Sequence, residues 1–225
     1  MTDNAKSSIL VSEIIGSVSL LTRKPKNPEA VLVMAHGAGA GMDHPFMESL
    51  AAELANRGIA TVRYNFPYLE KKKKRPDPAP VAEKTVAMVI QSTHETFPET
   101  PLFAGGKSFG GRMTSQRLSK ECPAFVRGIV FFGFPLHPVG APSVERAAHL
   151  QSVHIPMLFL QGTRDNMADV ELLNKTCSGL ATATLATLEG ADHSFQSGKK
   201  KFISELADET VAWIKNQKKQ YQKFI

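Results

Sequence analysis

The sequence predicts an α/β fold, a mostly parallel twisted sheet with helices on both faces, in one domain spanning residues 1–225. Three observations lead there. Strand-like and helix-like segments alternate along the chain. The strand-like segments are short and continuously apolar, as in Ala30-Val31-Leu32-Val33-Met34-Ala35, which is the composition of strands buried on both faces. The chain has 225 residues and 42% hydrophobic content, enough for a substantial core, and no internal repeat marks a second unit.

In order, residues 9–21 are expected to form an opening strand pair that turns near Gly16. Ala30–Ala35 is a central strand. Helical spacing of Phe46, Leu50 and Leu54 predicts a helix over 44–57, with Gly58 closing its C-terminus. Ile59–Tyr64 is the next strand. After a loop rich in Lys and Pro, 81–97 reads as a helix. The apolar run Pro101-Leu102-Phe103-Ala104 leads to a turn at Ser108, and a helix follows over Phe109–Lys120. Strands are expected at 126–134, 156–161 and 182–188, with a helix at 170–180 between the last two. Residues 201–219 carry Phe202, Leu206, Val211, Trp213 and Ile214, an amphipathic closing helix. The segment from Gly133 to His154 is short, so any lid is small.

The stretch Gly105-Gly106-Lys107-Ser108-Phe109-Gly110-Gly111 sits between a strand and a helix. In that context Gly-x-Ser-x-Gly predicts a nucleophile elbow, with Ser108 on a strained turn and small residues at Gly106 and Gly110 letting strand and helix approach. Gly110 and Gly111 are poor helix starters, costing roughly 1 kcal/mol each relative to Ala, so stability alone does not explain them. A serine needs a base to take its proton, and the base needs a third group to fix its tautomer. On such a scaffold they are expected at later strand ends in the order acid, histidine. Asp165 follows the run Met157-Leu158-Phe159-Leu160-Gln161-Gly162, and His193 follows the strand that ends at Leu188. The expected catalytic group is therefore Ser108, Asp165 and His193. Asp169 is better explained as the first-turn or cap residue of the next helix, and Asp192 points elsewhere from an extended backbone.

Acyl transfer also needs N–H donors aimed at the developing oxyanion. Phe109, at the start of a helix, is one candidate. The other lies in the loop His36-Gly37-Ala38-Gly39-Ala40-Gly41, where Ala38 is nominated and His36 is expected to brace the loop. The glycines of that loop do not make a dinucleotide site, because position 42 is Met and the next strand ends Arg63-Tyr64-Asn65 without an acid. The seven histidines are scattered and form no His-Glu-x-x-His, so no metal site is expected.

The chain has 27 basic and 21 acidic residues, a net charge of +6. The basic residues cluster at Lys71–Arg75, Lys199–Lys201 and the C-terminal Lys215, Lys218, Lys219 and Lys223. The first two blocks have no interleaved aromatics to stack bases, and the last suits a helix C-terminus, so nucleic acid is not an expected partner. No apolar run approaches the roughly 18 residues of a membrane span. The two cysteines, Cys122 and Cys177, make no framework, and no signal-peptide core is visible near the N-terminus. The expected location is cytoplasmic.

These motifs resemble the α/β-hydrolase superfamily over nearly the whole chain. The resemblance rests on His36-Gly37, Gly106-Lys107-Ser108-Phe109-Gly110-Gly111-Arg112, Gly162-Thr163-Arg164-Asp165 and Asp192-His193-Ser194-Phe195. More narrowly, His36-Gly-Ala-Gly-Ala-Gly-Met-Asp-His-Pro45, Arg63-Tyr-Asn-Phe-Pro-Tyr68 and Gly133-Phe-Pro-Leu-His-Pro138 resemble a small group of predicted hydrolases. That group shares its domain with a scaffold subunit of a nuclear histone-acetylating complex and with a testis-expressed protein. The resemblance implies a sheet of about eight strands without a large cap domain. It also implies that some members act as binding scaffolds, although every triad position is filled here.

The expected activity is cleavage of a carboxylic ester or related acyl compound, a small-molecule substrate, without cofactor. The alternatives are a non-catalytic interaction module on the same scaffold and an acyltransferase using the same triad. Lys107 and Arg112 flank the elbow and suit an acidic substrate group, or are solvated surface. Tyr64, Phe66, Tyr68, Phe134 and His137 follow strand ends and either line the pocket or pack the core.

Overall fold

Eight strands form one sheet in the order β1-β2-β4-β3-β5-β6-β7-β8, taking the chain as described by a computed structural model over residues 3–222, with side chains over 4–218. The strands are β1 (Asp3–Ser12), β2 (Gly16–Lys24), β3 (Ala30–Ala35), β4 (Ile59–Tyr64), β5 (Leu102–Lys107), β6 (Val126–Phe132), β7 (Met157–Gly162) and β8 (Ala183–Leu188). The helices are α1 (Pro45–Asn56), the single turn α2 (Pro67–Glu70), α3 (Ala79–Thr96), α4 (Phe109–Lys120), α5 (Val170–Ser178) and α6 (Ile203–Gln222). A 3-10 helix covers Glu145–Ser152, and β9 (Gln196–Ser197) pairs with β10 (Lys200–Lys201) as a separate hairpin. Lys223, part of the C-terminal lysine cluster, lies outside the described residues.

β1 and β2 pair antiparallel, β2 joins β4 antiparallel, and the six strands from β4 to β8 run parallel. This is the α/β-hydrolase fold the motifs imply, with no large cap. Its two faces bury different cores, because successive strand residues point to opposite sides. In β3, Val31, Val33 and Ala35 join Val86, Ile90, Met113 and Leu173 from α3, α4 and α5. Leu32 and Met34 face the other way, onto Leu50 and Leu54 of α1 and Leu206 and Ile214 of α6. Trp213 of α6 meets Phe103 edge-on at 5.8 Å, fastening the closing helix to the centre of the sheet. Parallel strands end on one edge, so the loops after β3, β5, β7 and β8 open on the same side.

Several boundaries move for local reasons. The helix expected at 44–57 starts at Pro45, with His44 outside it accepting a hydrogen bond from the Phe46 N–H at 3.2 Å. Gly58, φ +87°, takes the left-handed turn after Arg57. α3 begins at Ala79 rather than 81, with a proline in its first turn, where a missing N–H costs nothing. The strand expected at 126–134 stops at Phe132 because Gly133 turns with φ +73°. β1 starts well before residue 9, where its residues 4–8, polar apart from Ala5, are all exposed on this edge strand and give no apolar alternation to read. No described helix is long and apolar enough to cross a membrane.

Candidate active site

Ser108 occupies the turn between β5 and α4 with φ 49° and ψ −115°, a left-handed conformation that costs a non-glycine residue on the order of 1–3 kcal/mol. Surrounding contacts hold it there. Its N–H donates to the Phe132 carbonyl at 3.2 Å. A Cβ at Gly106 would lie 2.2 Å from the Ala35 carbonyl oxygen, and one at Gly110 would lie 2.5 Å from that of His36. The elbow therefore requires glycine on both sides of Ser108.

His193 stands between the hydroxyl and a carboxylate. Its Nε2 lies 2.9 Å from Ser108 Oγ and its Nδ1 lies 2.6 Å from Asp165 Oδ2. With Asp165 ionised, Nδ1–H donates to the carboxylate and Nε2 is left to accept the Ser108 proton. Asp165 is buried and saturated with donors: Oδ2 also accepts from Gln161 Nε2 at 2.5 Å, and Oδ1 accepts from the Met167 N–H at 2.8 Å. Three donors on one buried carboxylate fix its orientation and, through it, the imidazole. Gln161 was not among the expected site residues. Its signal was there as the one polar side chain in the apolar run of β7.

The rival acids have other tasks. Asp169 caps α5 by accepting from the Leu172 N–H at 2.8 Å. Asp192 Oδ1 accepts from the N–H groups of Ser194 and Gln196 at 2.8 and 2.9 Å, shaping the turn that presents His193.

His36 braces the loop after β3. Its Nδ1–H donates to the Gly37 carbonyl at 2.8 Å and its Nε2 accepts the Phe66 N–H at 3.1 Å. Burial pushes its pKa from 6.5 down to about 4, so the ring stays neutral. A folded-state value below the ordinary one means that the unfolded chain takes up the proton first. The stabilisation is whole above pH 6.5 and is lost as pH falls from there through 4, on the order of 3 kcal/mol if lost completely. Half-buried His149, also lowered to about 4 by burial and then by Arg112, adds in the same direction. Urea unfolding at neutral pH and near pH 4 is expected to show this loss, and His36→Gln to make it shallower. Equal pH dependence in both proteins would contradict the assignment.

The loop braced by His36 carries Ala38, which lines a cavity of about 500 Å³ together with Lys107, Ser108, His193, Phe46, Met47, Met167 and Phe195. Phe109 is the first residue of α4, where an N–H has no partner within the helix. Ala38 thus shares the cavity wall with Ser108, and Phe109 follows Ser108 directly at the start of α4.

Of the residues expected to touch substrate, the structure brings Lys107 to the cavity and leaves the others out of its wall. Tyr64, Phe66, Tyr68 and Phe134 are core residues, each no more than 1% exposed. Phe66 packs edge-on against His36 at 5.0 Å and Phe109 at 5.3 Å. Tyr68 accepts from the Gly39 N–H at 3.3 Å, a second brace on the Ala38 loop. The His137 ring Nε2 accepts from the Asp169 N–H at 2.9 Å while the His137 backbone N–H donates to the Met167 carbonyl at 3.0 Å, so the residue ties down the loop of Asp165. Arg112 lies one turn along α4 and faces the 3-10 helix, beside His149 and Arg146. Aromatic residues after strand ends proved to be anchors because the strands that precede them are central and covered on both faces. The apolar wall comes instead from the start of α1 and from the segment after His193.

A family model described as an alpha/beta hydrolase domain matches residues 28–223. Among solved structures, an alpha-beta serine hydrolase homologue from Coxiella burnetii is 21% identical with a TM-score of 0.74, over 94% of this chain and 97% of that one. Dienelactone hydrolase from Anabaena variabilis is 18% identical with a TM-score of 0.76, over 96% and 98%. An α/β serine hydrolase without lid from Xanthomonas campestris is 17% identical with a TM-score of 0.70, over 98% and 96%. At these identities the solved structures speak for the fold.

Proposed function

Since the chain belongs to the α/β-hydrolase family, we propose that it is a serine hydrolase that cleaves a carboxylic ester or related acyl compound through an acyl-enzyme. The observation that carries this reading is the unbroken hydrogen-bond chain Asp165–His193–Ser108, ending in the wall of a cavity. Ser108 Oγ attacks the carbonyl carbon while His193 Nε2 takes its proton. The carbonyl oxygen becomes an oxyanion held by the N–H groups of Ala38 and Phe109. Collapse breaks the bond to the leaving group, which receives the proton from His193. Water then repeats the sequence on the acyl-enzyme, with His193 first base and then acid, and releases the carboxylic acid. Asp165 stays ionised throughout and stabilises the imidazolium. The sequence of steps uses no metal or organic cofactor.

We also infer, from the segments at 36–45, 63–68 and 133–138, that the chain belongs with the narrower group of predicted hydrolases, one domain over residues 1–225. A hydroxyl, an imidazole and a carboxylate joined by hydrogen bonds favour catalysis over a purely binding role.

A fluorophosphonate probe tests the reading. Wild-type protein is expected to label covalently and Ser108→Ala not at all. Folded wild-type protein that fails to label would overturn the assignment. Labelled protein whose acyl product appears on an added alcohol faster than on water would replace hydrolase by acyltransferase.

A further inference from the structure

The cavity in front of Ser108 has a one-sided charge. Its lining includes Lys107 and Lys201 and not one carboxylate. Most of the remaining wall is apolar, with Phe46 and Phe195 stacked at 5.8 Å between their ring centroids.

Neither lysine is neutralised by the protein. Lys107 Nζ is buried without a hydrogen-bond partner among the described residues and lies 5.3 Å from the centroid of the Phe195 ring. The carboxylates whose field it feels are Asp165 and Asp192. Asp165 is already engaged by His193, Gln161 and Met167, and Asp192 by the turn it caps. Burial pushes the Lys107 ammonium down to about 8, against the pull of those two acids. A buried cation without an acceptor is costly, and a ligand that brings negative charge offsets that cost.

Lys201 is the accessible member of the pair. It belongs to β10 in the hairpin after His193, is exposed, and makes no ion pair among the described residues. Its neighbour Lys200 points to the other face, where it pairs with Glu205 at 3.0 Å and lies 4.2 Å from the Phe202 ring centroid. The strand alternation thus leaves one lysine of the hairpin tied down and directs the next toward the cavity.

We propose that the substrate carries an anionic group, a carboxylate or phosphate, separated from the scissile carbonyl by an apolar stretch, and that Lys201 binds it. Lys107, a wall residue whose Nζ is buried, adds its field, and Phe46 and Phe195 hold the apolar stretch. This rests on Ser108 being the nucleophile.

Two matched ester pairs test it, one with the charge on each side of the ester: para-nitrophenyl butyrate against the para-nitrophenyl monoester of glutaric acid, and phenyl butyrate against para-carboxyphenyl butyrate. The charged member of at least one pair is expected to show kcat/KM about tenfold higher at low ionic strength, mainly through KM, with the advantage shrinking at high salt. Lys201→Gln is expected to reduce that ratio to within about threefold of unity, and Lys201→Arg to retain it. A preference for the neutral member in both pairs, or a ratio unchanged in Lys201→Gln, overturns the proposal. Fluorophosphonate labelling of the wild type separates the two ways of failing. Labelled protein with a neutral preference sinks the anion site alone, whereas unlabelled protein removes the hydrolase reading and the anion site with it.

Discussion

Ser108→Ala is expected to lower kcat at least about a thousandfold while leaving the unfolding midpoint nearly unchanged. The catalytic loss follows from chemistry, since among the described residues no other hydroxyl is hydrogen-bonded to His193 Nε2. The structural neutrality follows from position. The hydroxyl faces a cavity, so its removal leaves His193 Nε2 accessible to water, and alanine meets the same backbone conformation at φ 49° as serine does. His193→Ala is expected to cost a similar factor. Because the two residues act as a unit, the double variant is expected to lose no more than the worse single one. Steady-state rates on any ester that the wild type turns over decide the matter. A loss of less than tenfold for Ser108→Ala would assign the chemistry elsewhere.

Gly106→Ala has the opposite expected signature, a loss of fold rather than of chemistry alone. The added methyl would stand 2.2 Å from the Ala35 carbonyl oxygen and 2.9 Å from Ala35 Cβ, inside the pairing of β3 with β5 at the centre of the sheet. Neither partner has freedom to move, since β3 is hydrogen-bonded on both sides and fully buried. Backbone strain at φ +156° adds to the clash. The expected destabilisation is at least about 4 kcal/mol, the range reserved for gross steric conflict. Denaturant unfolding reads it, or insoluble expression if the loss exceeds the whole stability. Gly179→Ala serves as the comparison. There φ is −86°, the new Cβ would come no closer than 3.5 Å to the Thr176 carbonyl oxygen, and the change is expected to stay within about 1 kcal/mol. Similar losses in both variants would mean that the strand contact is not what constrains Gly106.

Which parts of this molecule were readable from sequence follows from how local their causes are. The central strands were legible because burial on both faces makes them continuous apolar runs, as in Ala30–Ala35 and Met157–Gly162. Ser108, Asp165 and His193 were singled out through strand ends and chain order, and those same ends bring them within hydrogen-bond distance. Gln161 went unnoticed because an isolated polar residue in a strand says nothing about what it touches until the partner loop is placed. The cavity wall was the least legible. It depends on α1 and the β9–β10 hairpin being adjacent in space, although they are far apart in sequence. The hairpin has only two residues per strand, too short for any alternation to register. Tyr64 and Phe66 misled for a related reason: a position after a strand end fixes which edge of the sheet a residue occupies, not whether a neighbouring ring covers it.

The excursion between β6 and β7 has a kinetic consequence. Instead of arching over the cavity, it lays its 3-10 helix against α4, with Ala147 and Leu150 in the core and His149 Nε2 2.7 Å from Ser115 Oγ. An acyl-enzyme formed at Ser108 in the proposed mechanism would therefore have no cover from this segment when its leaving group departs. Partition of that intermediate would be a competition between water and whatever acceptor has bound, with no cover from this segment to exclude the former. In the proposed mechanism, acyl transfer would then prevail only for an acceptor held tightly enough to displace water.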